Sequence, residues 1–443
     1  MNKRIFWLLA IVICLGFAIW GLGFGLGGCS STLQEATGST TTTTSTAMST
    51  TTTLALTWSG IKQFRDDIGD IFSIDNSDNI YTASMDTLTK LDPAGNRIWT
   101  KYFTGEVGDG AAIMDGSGNI YTTGGTDIGL DGNTNAGGSD FIISKYDKNG
   151  NKLWLKQFGT SADDSATGVA VDSTGNNIYV CGVTYGGLDG NTNLGSSDFF
   201  LMKLDSDGNK KWTKQFGTSS IDEANNMGID SHNNIYIVGH VLLAGLDGNP
   251  VIGVMDAFLA KYDSDGNRIW TKQFGSTDFD IATNLAFDSN DNIYVAGHTF
   301  GALEGNSSNG GLDSYLAKFE PISGEAQWLK QYGTSGADRY GCLVVDSSGD
   351  IYVCGDTVPG QTGAIKTGGS SEATLTKTDP AGNILWSKQI GGDNSHNGDG
   401  TVVFDSKHYV FFCGNTDGIL DGNTAAGSGG FFIIKYSPAG VMQ

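Results

Sequence analysis

The sequence predicts an all-β fold: a seven-bladed β-propeller with four strands per blade, closed by pairing the N-terminal strand with the C-terminal strand. Three observations support this prediction. The chain is rich in turn residues, with 66 Gly among 443 residues and only 6 Pro. One unit of four strand signals recurs seven times, and the two ends of the folded segment hold complementary parts of that unit. Gly, Asn and Asp favour tight turns, so many short strands are expected.

The repeating unit contains four short β-rich runs, which in one copy cover residues 154–158, 168–171, 178–181 and 199–203. Runs separated by Gly-containing turns indicate hairpins, and four such strands per repeat are typical of a propeller blade. Three markers count seven units: Trp58, Trp99, Trp154, Trp212, Trp270, Trp328 and Trp386; Tyr81, Tyr121, Tyr179, Tyr236, Tyr294, Tyr352 and Tyr409; and Lys90, Lys145, Lys203, Lys261, Lys318, Lys377 and Lys435. The seven Trp are predicted to pack between blades.

The ends of the folded segment predict ring closure. It opens with the run around Trp58 and finishes with residues 431–436, the run that elsewhere precedes a Trp. Pairing the two would complete the seventh blade and hide two sheet edges that otherwise invite aggregation. A solenoid would instead need capped ends, and neither end looks capped, so a monomeric propeller is expected.

The strings WTKQFG, at residues 212 and 270, and FLAKYDSDGN, at residue 258, resemble the bacterial SBBP (seven-bladed β-propeller) repeat. The resemblance covers about residues 57 to 437. It implies the seven-bladed fold and a secreted or surface context, but no single activity. The first unit departs from the pattern, because it runs from Tyr81 to Thr87 without a long loop.

Residues 1–28 have the features of a secretory signal. Lys3 and Arg4 precede an apolar stretch over residues 5–26, and small residues lead to Cys29. The Leu-Gly-Gly-Cys box resembles the bacterial lipoprotein signal, which implies cleavage before Cys29 and acyl chains on that residue. The alternative is an uncleaved transmembrane helix, since residues 5–26 are long enough to span a bilayer.

Residues 29–56 are rich in Ser and Thr and could bury no core, so a disordered stalk is predicted before a propeller over residues 57–443. Ser30 after the acylated position favours the outer membrane or cell surface over the inner membrane, again by resemblance. The net charge of −22 argues against a nucleic-acid partner, because phosphate binding needs clustered Lys and Arg.

We name the four strands of a blade A to D in chain order, with the Trp on strand D. The long B–C loops carry a recurring Asp-x-Asn-x-Asn run followed by an Asp. Alternating oxygen donors suit Ca²⁺, so two candidate calcium sites are Asp131, Asn133, Asn135 and Asp140, and Asp189, Asn191, Asn193 and Asp198. The alternative is an Asx-rich turn that satisfies its own backbone.

The D–A loops carry a recurring acid, eight residues before the Asp that closes strand A. These acids are Asp67, Asp164, Asp222, Asp280 and Asp338. A ring of acids near the channel mouth could hold a cation. Like charges brought close raise one another's pKa unless a cation lies between them. Alternatively, each Asp accepts backbone N–H bonds in its turn.

Cys342 and Cys354 fall opposite each other if a short hairpin joins their strands, so a disulfide between them is a candidate in an oxidising compartment. A one-residue bulge would destroy that register. The lysines of strands C and D, such as Lys203 and Lys214, are expected to guard the outer sheet edges.

No nucleophile motif is present. The leading hypothesis is a lipid-anchored binding module that recognises a protein or glycan through the long-loop face, with structural calcium as an option. The alternatives are an enzyme, a lyase or hydrolase with its site at the channel mouth, and a structural component of an envelope assembly.

Overall fold

The computed structural model describes residues 58, 60–65, 69–84, 86–103, 110–357, 372–391, 396–397, 400–416, 420 and 430–443. The chain divides into a unit over residues 1–54 and a unit over residues 55–443, and every described residue belongs to the second. The predicted signal, Cys29, the stalk and Asp67 lie outside the described residues. Within the described part of the chain, no helix has the length and apolar character needed to cross a bilayer.

The described residues form seven antiparallel sheets, as predicted, and six of them take four consecutive strands in chain order. Blade 1 comprises β2 (Asp70–Ile74), β3 (Ile80–Ser84), β4 (Thr87–Leu91) and β5 (Arg97–Tyr102); blade 2, β6 (Ala112–Met114), β7 (Ile120–Thr126), β8 (Asp140–Tyr146) and β9 (Lys152–Phe158); blade 3, β10 (Asp164–Val171), β11 (Asn177–Thr184), β12 (Asp198–Asp205) and β13 (Lys210–Phe216). Blade 4 comprises β14 (Asp222–Ile229), β15 (Ile235–Leu242), β16 (Met255–Tyr262) and β17 (Arg268–Phe274); blade 5, β18 (Asp280–Phe287), β19 (Ile293–Thr299), β20 (Asp313–Phe319) and β21 (Ala326–Tyr332); blade 6, β22 (Arg339–Val345), β23 (Ile351–Thr357), β24 (Glu372–Thr378) and β25 (Ile384–Ile390).

The seventh blade joins the two ends of the propeller. It contains β26 (His396–Asn397), β27 (Val402–Phe404), β28 (Val410–Thr416), β29 (Gly430–Tyr436) and β1 (Ile61–Arg65). Strand β1 pairs antiparallel with β29, from Ile61 opposite Ile434 to Arg65 opposite Gly430. The predicted closure is therefore confirmed, with one correction: Trp58 precedes the closing strand instead of lying in it. Gly60 occupies the position that Trp holds on the other D strands.

Each of the seven Trp packs on a glycine of the next blade's C–D turn, which confirms their predicted role. A Cβ on Gly266 would lie 2.6 Å from the Trp212 ring, and a Cβ on Gly324 would lie 2.9 Å from that of Trp270. These glycines also have positive φ, +73° and +71°, so the turn excludes a side chain for two reasons. The pairs are Trp58–Gly95, Trp99–Gly150, Trp154–Gly208, Trp212–Gly266, Trp270–Gly324, Trp328–Gly382 and Trp386–Gly440.

The strand-C lysines lie inside the blade stack, so the expectation that they guard sheet edges is wrong. Lys203 faces Tyr179 of strand B, with its Nζ 5.2 Å from the ring centroid, and donates to the Ser264 carbonyl of the next blade at 3.0 Å. In every blade the aliphatic stem packs on the ring of strand B, while the ammonium binds either a turn of the next blade, as in Lys203, or an Asp of its own A–B turn, as in Lys90 and Lys435. In blade 7 the residue opposite Lys435 is Phe411, so Tyr409 was assigned two positions too early.

Candidate functional site

The antiparallel blades present two different faces. The A–B and C–D turns share one face, the turn face, where the Tyr81 hydroxyl of blade 1 donates to the Lys148 carbonyl of blade 2 at 3.2 Å. The B–C and D–A connections share the other, the loop face. On the turn face the Asp that closes strand A accepts the amides of its own turn. Asp75 Oδ1, for example, accepts from Ser77 N at 2.9 Å and Asn79 N at 3.0 Å.

The repeated Leu-Asp-Gly-Asn motif of the B–C loops runs along strand D, the outer edge of each blade. In blade 3 Leu188 is buried, and Asp189 and Gly190 both have positive φ, 54° and 84°. Asp189 accepts from the Thr213 hydroxyl at 2.5 Å and forms an ion pair with Lys210. Asn191 Nδ2 donates to the Leu188 carbonyl at 2.7 Å and reaches the Thr213 carbonyl of strand D at 3.4 Å. The motif therefore covers an otherwise open sheet edge.

The eight residues of the two candidate calcium sites make ion pairs and hydrogen bonds in different parts of their loops. Asp131 pairs with Lys152 at 2.6 Å, as Asp189 does with Lys210. The asparagines donate to loop carbonyls: Asn133 to Leu130 at 2.8 Å, Asn135 to Asp127 at 2.6 Å, and Asn193 to Tyr185 at 2.9 Å. Asp140 and Asp198 are buried at the start of strand C and accept from Gln157 and Gln215, each at 2.9 Å. A cation at the loop runs would have to displace a lysine, and calcium there stays a prediction.

The four described D–A acids are buried, with exposed fractions of 0 to 4%, at the start of strand A. Their Oδ2 atoms accept from the amide and the hydroxyl four residues earlier. In blade 4, Asp222 accepts from Thr218 N at 2.7 Å and Thr218 Oγ1 at 2.8 Å, and the same pair of bonds is made by Asp164, Asp280 and Asp338. Burial, opposed by these bonds and reinforced by the charges of Asp198 and Glu223, raises the pKa of Asp222 to about 6.

Cys342 and Cys354 are joined by a disulfide across β22 and β23, with a Cα–Cα distance of 5.1 Å. Strand A does carry a bulge, between Tyr340 and Cys342, but the register beyond it places the two cysteines directly opposite each other. Cys181 and Cys413 are buried free thiols in other blades.

The seven-fold repetition breaks down at the inner rim of the loop face, where strand A begins and strand B ends. The facing pairs there are Ser165–Val183, Glu223–His240, Ile281–His298 and Arg339–Asp356 in blades 3, 4, 5 and 6. We call Glu223, His240, His298, Arg339 and Asp356 the rim cluster. His240 Nε2 lies 3.6 Å from Glu223 Oε2, and its Nδ1 lies 3.4 Å from Asn225 Nδ2.

Burial disfavours the charged form of both rim histidines. Burial lowers the pKa of His240, against the opposing charge of Glu223. Burial, with the positive charges of Arg339 and His240, lowers the pKa of His298 to about 3. His298 Nδ1 is buried and has no hydrogen-bond partner among the described residues. Arg339 is exposed, and its guanidinium makes no ion pair or hydrogen bond within the described part of the chain.

Exposed apolar side chains border the rim cluster at the first residue of three consecutive B–C loops. We call Tyr185, Leu243 and Phe300 the apolar arc; they are 47%, 54% and 47% exposed. Burial, reinforced by the charges of Glu223 and Asp163, raises the pKa of Tyr185. Leu243 has φ +50°, an unfavourable conformation for a bulky residue, and such strain is concentrated at functional sites. Blade 2 has Asp127 at the equivalent position.

His240 and His298 hold equivalent positions in two repeats, a pattern that by itself indicates packing. Glu223, Arg339 and the apolar arc were not predicted from the sequence. The available signal was a position-by-position comparison of the seven units, which shows these residues as departures from an otherwise regular pattern.

A second cluster, on the turn face, could hold a metal by distance alone. It contains Asp230, His232 and Asp291. His232 Nδ1 lies 2.9 Å from Asp291 Oδ2, and Asp291 also accepts from the Ser231 hydroxyl at 2.6 Å. Ser406 and Asp78 make the same bridge between blades 7 and 1, at 3.0 Å, which indicates that the cluster is a blade-to-blade contact.

Comparison with known proteins finds a repeat family and two partial relatives. Residues 153–189, 211–240 and 269–303 match the SBBP β-propeller repeat. Regulatory protein FlaEY of Caulobacter vibrioides is 26% identical over 214 residues, which cover 44% of this chain and 22% of that protein. An uncharacterized WD repeat-containing protein, L264, of Acanthamoeba polyphaga mimivirus is 24% identical over 182 residues, 32% of this chain and 13% of that protein.

The chain thus matches less than a quarter of the length of either relative. Among solved structures, virginiamycin B lyase from Staphylococcus aureus is 9% identical with a TM-score of 0.47, and the match covers 84% of this chain and 98% of that one. That likeness carries nothing about activity. The seven sheets show that this chain is a seven-bladed β-propeller, and three stretches of it match the SBBP β-propeller repeat.

Proposed function

We propose that this chain is an exported, lipid-anchored interaction module that binds a protein or glycan partner through the loop face of blades 3 to 6. One observation carries the proposal: the rim cluster and the apolar arc coincide on one face, in consecutive blades, and both depart from the repeat. Residues that serve the blade recur in every blade, as the Trp–Gly contacts do. Residues that differ only in one sector serve something outside it.

The side chains of the apolar arc suit a macromolecular partner. Contact surfaces are enriched in aromatic side chains and Arg, and exposed Tyr185, Phe300 and Arg339 supply both. Leu243 adds aliphatic surface, which favours a protein over a sugar ring. The net charge of −22 would draw a basic partner to the module by long-range attraction.

Export is supported by the disulfide in blade 6, because disulfides persist in oxidising compartments outside the cytoplasm. The features of residues 1–29 support the same location and the lipid on Cys29.

Binding is favoured over catalysis by the chemistry of the rim. A histidine with a pKa of about 3, such as His298, is a weak base at neutral pH. Within the described residues, the free thiols Cys181 and Cys413 are buried, and burial raises the pKa of the Cys181 thiol to about 12. The rim therefore offers recognition groups without an activated nucleophile.

Site-specific photo-crosslinking in intact cells tests the proposal. A benzophenone amino acid at Tyr185 or Phe300 is expected to give a discrete adduct with a partner protein. The matched control is Ile322, which is 82% exposed in a C–D turn of the turn face. Equal adducts on both faces would favour a structural assembly component. No adduct at the arc, together with no arc-dependent signal on a glycan array, would refute the proposed interface.

Lipid attachment has its own test. Growth with an alkyne-tagged fatty acid is expected to label the protein and to place it in the membrane fraction. Cys29→Ser should abolish the label and release the propeller, while Cys181→Ser keeps the label. Label on the Cys29→Ser variant would disprove anchoring at that residue.

A further inference from the structure

Two blade interfaces each bury a pair of carboxylates at the same place. Asp140 begins β8 of blade 2 and Asp164 begins β10 of blade 3; Asp198 and Asp222 begin β12 and β14, one interface further round. Their exposed fractions are 1%, 1%, 0% and 0%. The first member of each pair belongs to a predicted loop site and the second to the predicted ring of acids, so the structure combines two predicted sets.

The members of a pair are neighbours in space. Asp164 N donates to the Ser139 carbonyl at 2.7 Å, and Asp222 N to the Ser197 carbonyl at 3.1 Å. The carboxylate of Asp140 lies against Gly159, where a Cβ would overlap Oδ1, and the next residue, Thr160, donates its amide to Asp164 Oδ2 at 2.6 Å. Both carboxylates of the pair therefore border one Gly-Thr peptide.

The second interface has the same geometry. A Cβ on Gly217 would overlap Asp198 Oδ1, and Thr218 N donates to Asp222 Oδ2 at 2.7 Å. In both interfaces a glycine leaves the room that the two carboxylates occupy.

In each of these four carboxylates, one oxygen accepts hydrogen bonds and the other accepts none from the described residues. Asp140 Oδ2 accepts from Ala136 N and Gln157 Nε2, both at 2.9 Å, and Asp198 Oδ2 is held in the same way. The Oδ1 atoms of all four residues are buried and have no hydrogen-bond partner among the described residues. Within that part of the chain, none of the four pairs with a Lys, Arg or His.

The lack of hydrogen-bond donors to these carboxylates is clearest at the interface of blades 3 and 4. At the end of strand B, Thr184 lies near Asp164 but donates its hydroxyl to the Gly186 carbonyl at 3.2 Å. Val241 takes that position in blade 4, opposite Asp222, so Asp222 has no hydroxyl there.

We propose that these two interfaces are cation sites, each holding one hard cation between the two free Oδ1 atoms, with Ca²⁺ as the best match. Two adjacent buried carboxylates without a counter-charge are strongly unfavourable. The free donors are all oxygens, and hard oxygen donors select Ca²⁺ over softer metals. The proposal does not depend on the function of the loop face.

Two further interfaces with an equivalent pair of Asp residues provide internal controls. Asp256 Oδ1 accepts from Gly253 N at 2.8 Å, and the Thr357 hydroxyl donates to Asp338 Oδ1. Each of these pairs, Asp256–Asp280 and Asp313–Asp338, has only one unsatisfied Oδ1. The expected stoichiometry is therefore two cations in this part of the ring.

The test is equilibrium dialysis of the full-length chain against radioactive Ca²⁺ at pH 7.5, with thermal unfolding in millimolar Ca²⁺ or excess chelator. We expect two bound ions and a midpoint at least about 2 °C higher with Ca²⁺. Asp222→Asn should leave one ion, and Asp140→Asn repeats the test at the other interface if that variant does not fold. Asp313→Asn and the loop variant Asp189→Asn should each keep two.

Two results would overturn the proposal. One is no bound Ca²⁺ and no shift of the midpoint at millimolar concentration. The other is binding that survives Asp222→Asn and Asp140→Asn but is lost in Asp189→Asn, which would move the ions to the long loops. A carboxylic-acid band in the infrared spectrum at pH 7.5 that disappears in Asp222→Asn would assign a shared proton in place of a cation.

Discussion

The two faces of the propeller follow different rules. On the turn face the same contacts recur from blade to blade, and the Trp–Gly packing survives even in blade 7, where Trp58 reaches Gly95 from two residues before its usual place. On the loop face the inner rim changes from Ser165–Val183 to Arg339–Asp356 within three blades. A repeated contact reports what every blade needs to stay folded. A contact that changes in one sector reports a task that only this sector performs.

The largest effect is expected on the turn face. Trp270→Ala removes a ring that packs on Gly324 and lies 6.0 Å, centroid to centroid, from Tyr236. We expect it to lower the free energy of unfolding by about 3 kcal/mol, measured by urea denaturation, because a large contact between blades is lost. Ile269→Ala, one residue away and 49% exposed, is the matched control and should cost less than about 0.5 kcal/mol. Equal losses would mean that the Trp contacts do not hold the blades together.

The disulfide lies in blade 6, one of the blades whose loop-face rim departs from the repeat, and removing it tests how much it stabilises the fold. Replacing both Cys342 and Cys354 by Ser should lower the free energy of unfolding by about 2 kcal/mol, because the bond restricts the unfolded chain. Reductant should lower the free energy of unfolding of the wild type by a similar amount and leave that of the double variant unchanged. If reductant destabilises both proteins equally, the effect does not arise from this bond.

The pH dependence of stability is expected to distinguish the buried His298 of the loop face from the exposed His232 of the turn face. Because the folded-state pKa of His298 is about 3 and the unfolded value is about 6.5, the unfolded chain takes up its proton first as the pH falls. Stability should therefore be full above pH 6.5 and fall by about 1–2 kcal/mol towards pH 5, and His298→Gln should flatten this slope. The control is His232→Gln, since His232 has a 77% exposed side chain on the turn face. An unchanged slope in His298→Gln would show that burial of this imidazole is not what the titration reports.

The smallest effect has the opposite sign. Leu243→Asn replaces a bulky residue at φ +50° by one that tolerates this conformation, so stability should rise by about 0.5 kcal/mol while the adduct at Tyr185 weakens. Thermal unfolding and crosslinking measure the two results on one variant. Leu385→Asn, a 53% exposed position in β25, should not stabilise. A gain in stability without a change in crosslinking would remove Leu243 from the interface.

The regular part of the molecule was predictable because it is periodic. The Trp, Tyr and Lys markers and the complementary ends led to the blade number and to closure of the ring, and the structure confirms both. Errors arose where a residue was shifted within its repeat. Trp58 and Tyr409 each lie two positions from the expected register, and neither shift changes the count of units.

The candidate sites were less predictable because they depend on contacts between repeats. Spacing alone grouped Asp131 with Asp140, yet Asp131 binds Lys152 at the outer edge and Asp140 lies buried beside blade 3. Likewise, no local pattern links Glu223 with Arg339, which share a rim only because strand A of each blade begins there.

The direction of the closing strand has a mechanical consequence. Strand β1 runs from the turn face, where Gly60 N donates to the Gln443 carbonyl at 2.7 Å, towards the loop face. Tension between an anchor attached ahead of Trp58 and a partner held at the loop face would act along β1. It would shear the five residue pairs of β1 and β29 together instead of unzipping them one at a time. In such a tether, the strand that closes the ring would also be the strand that carries the load.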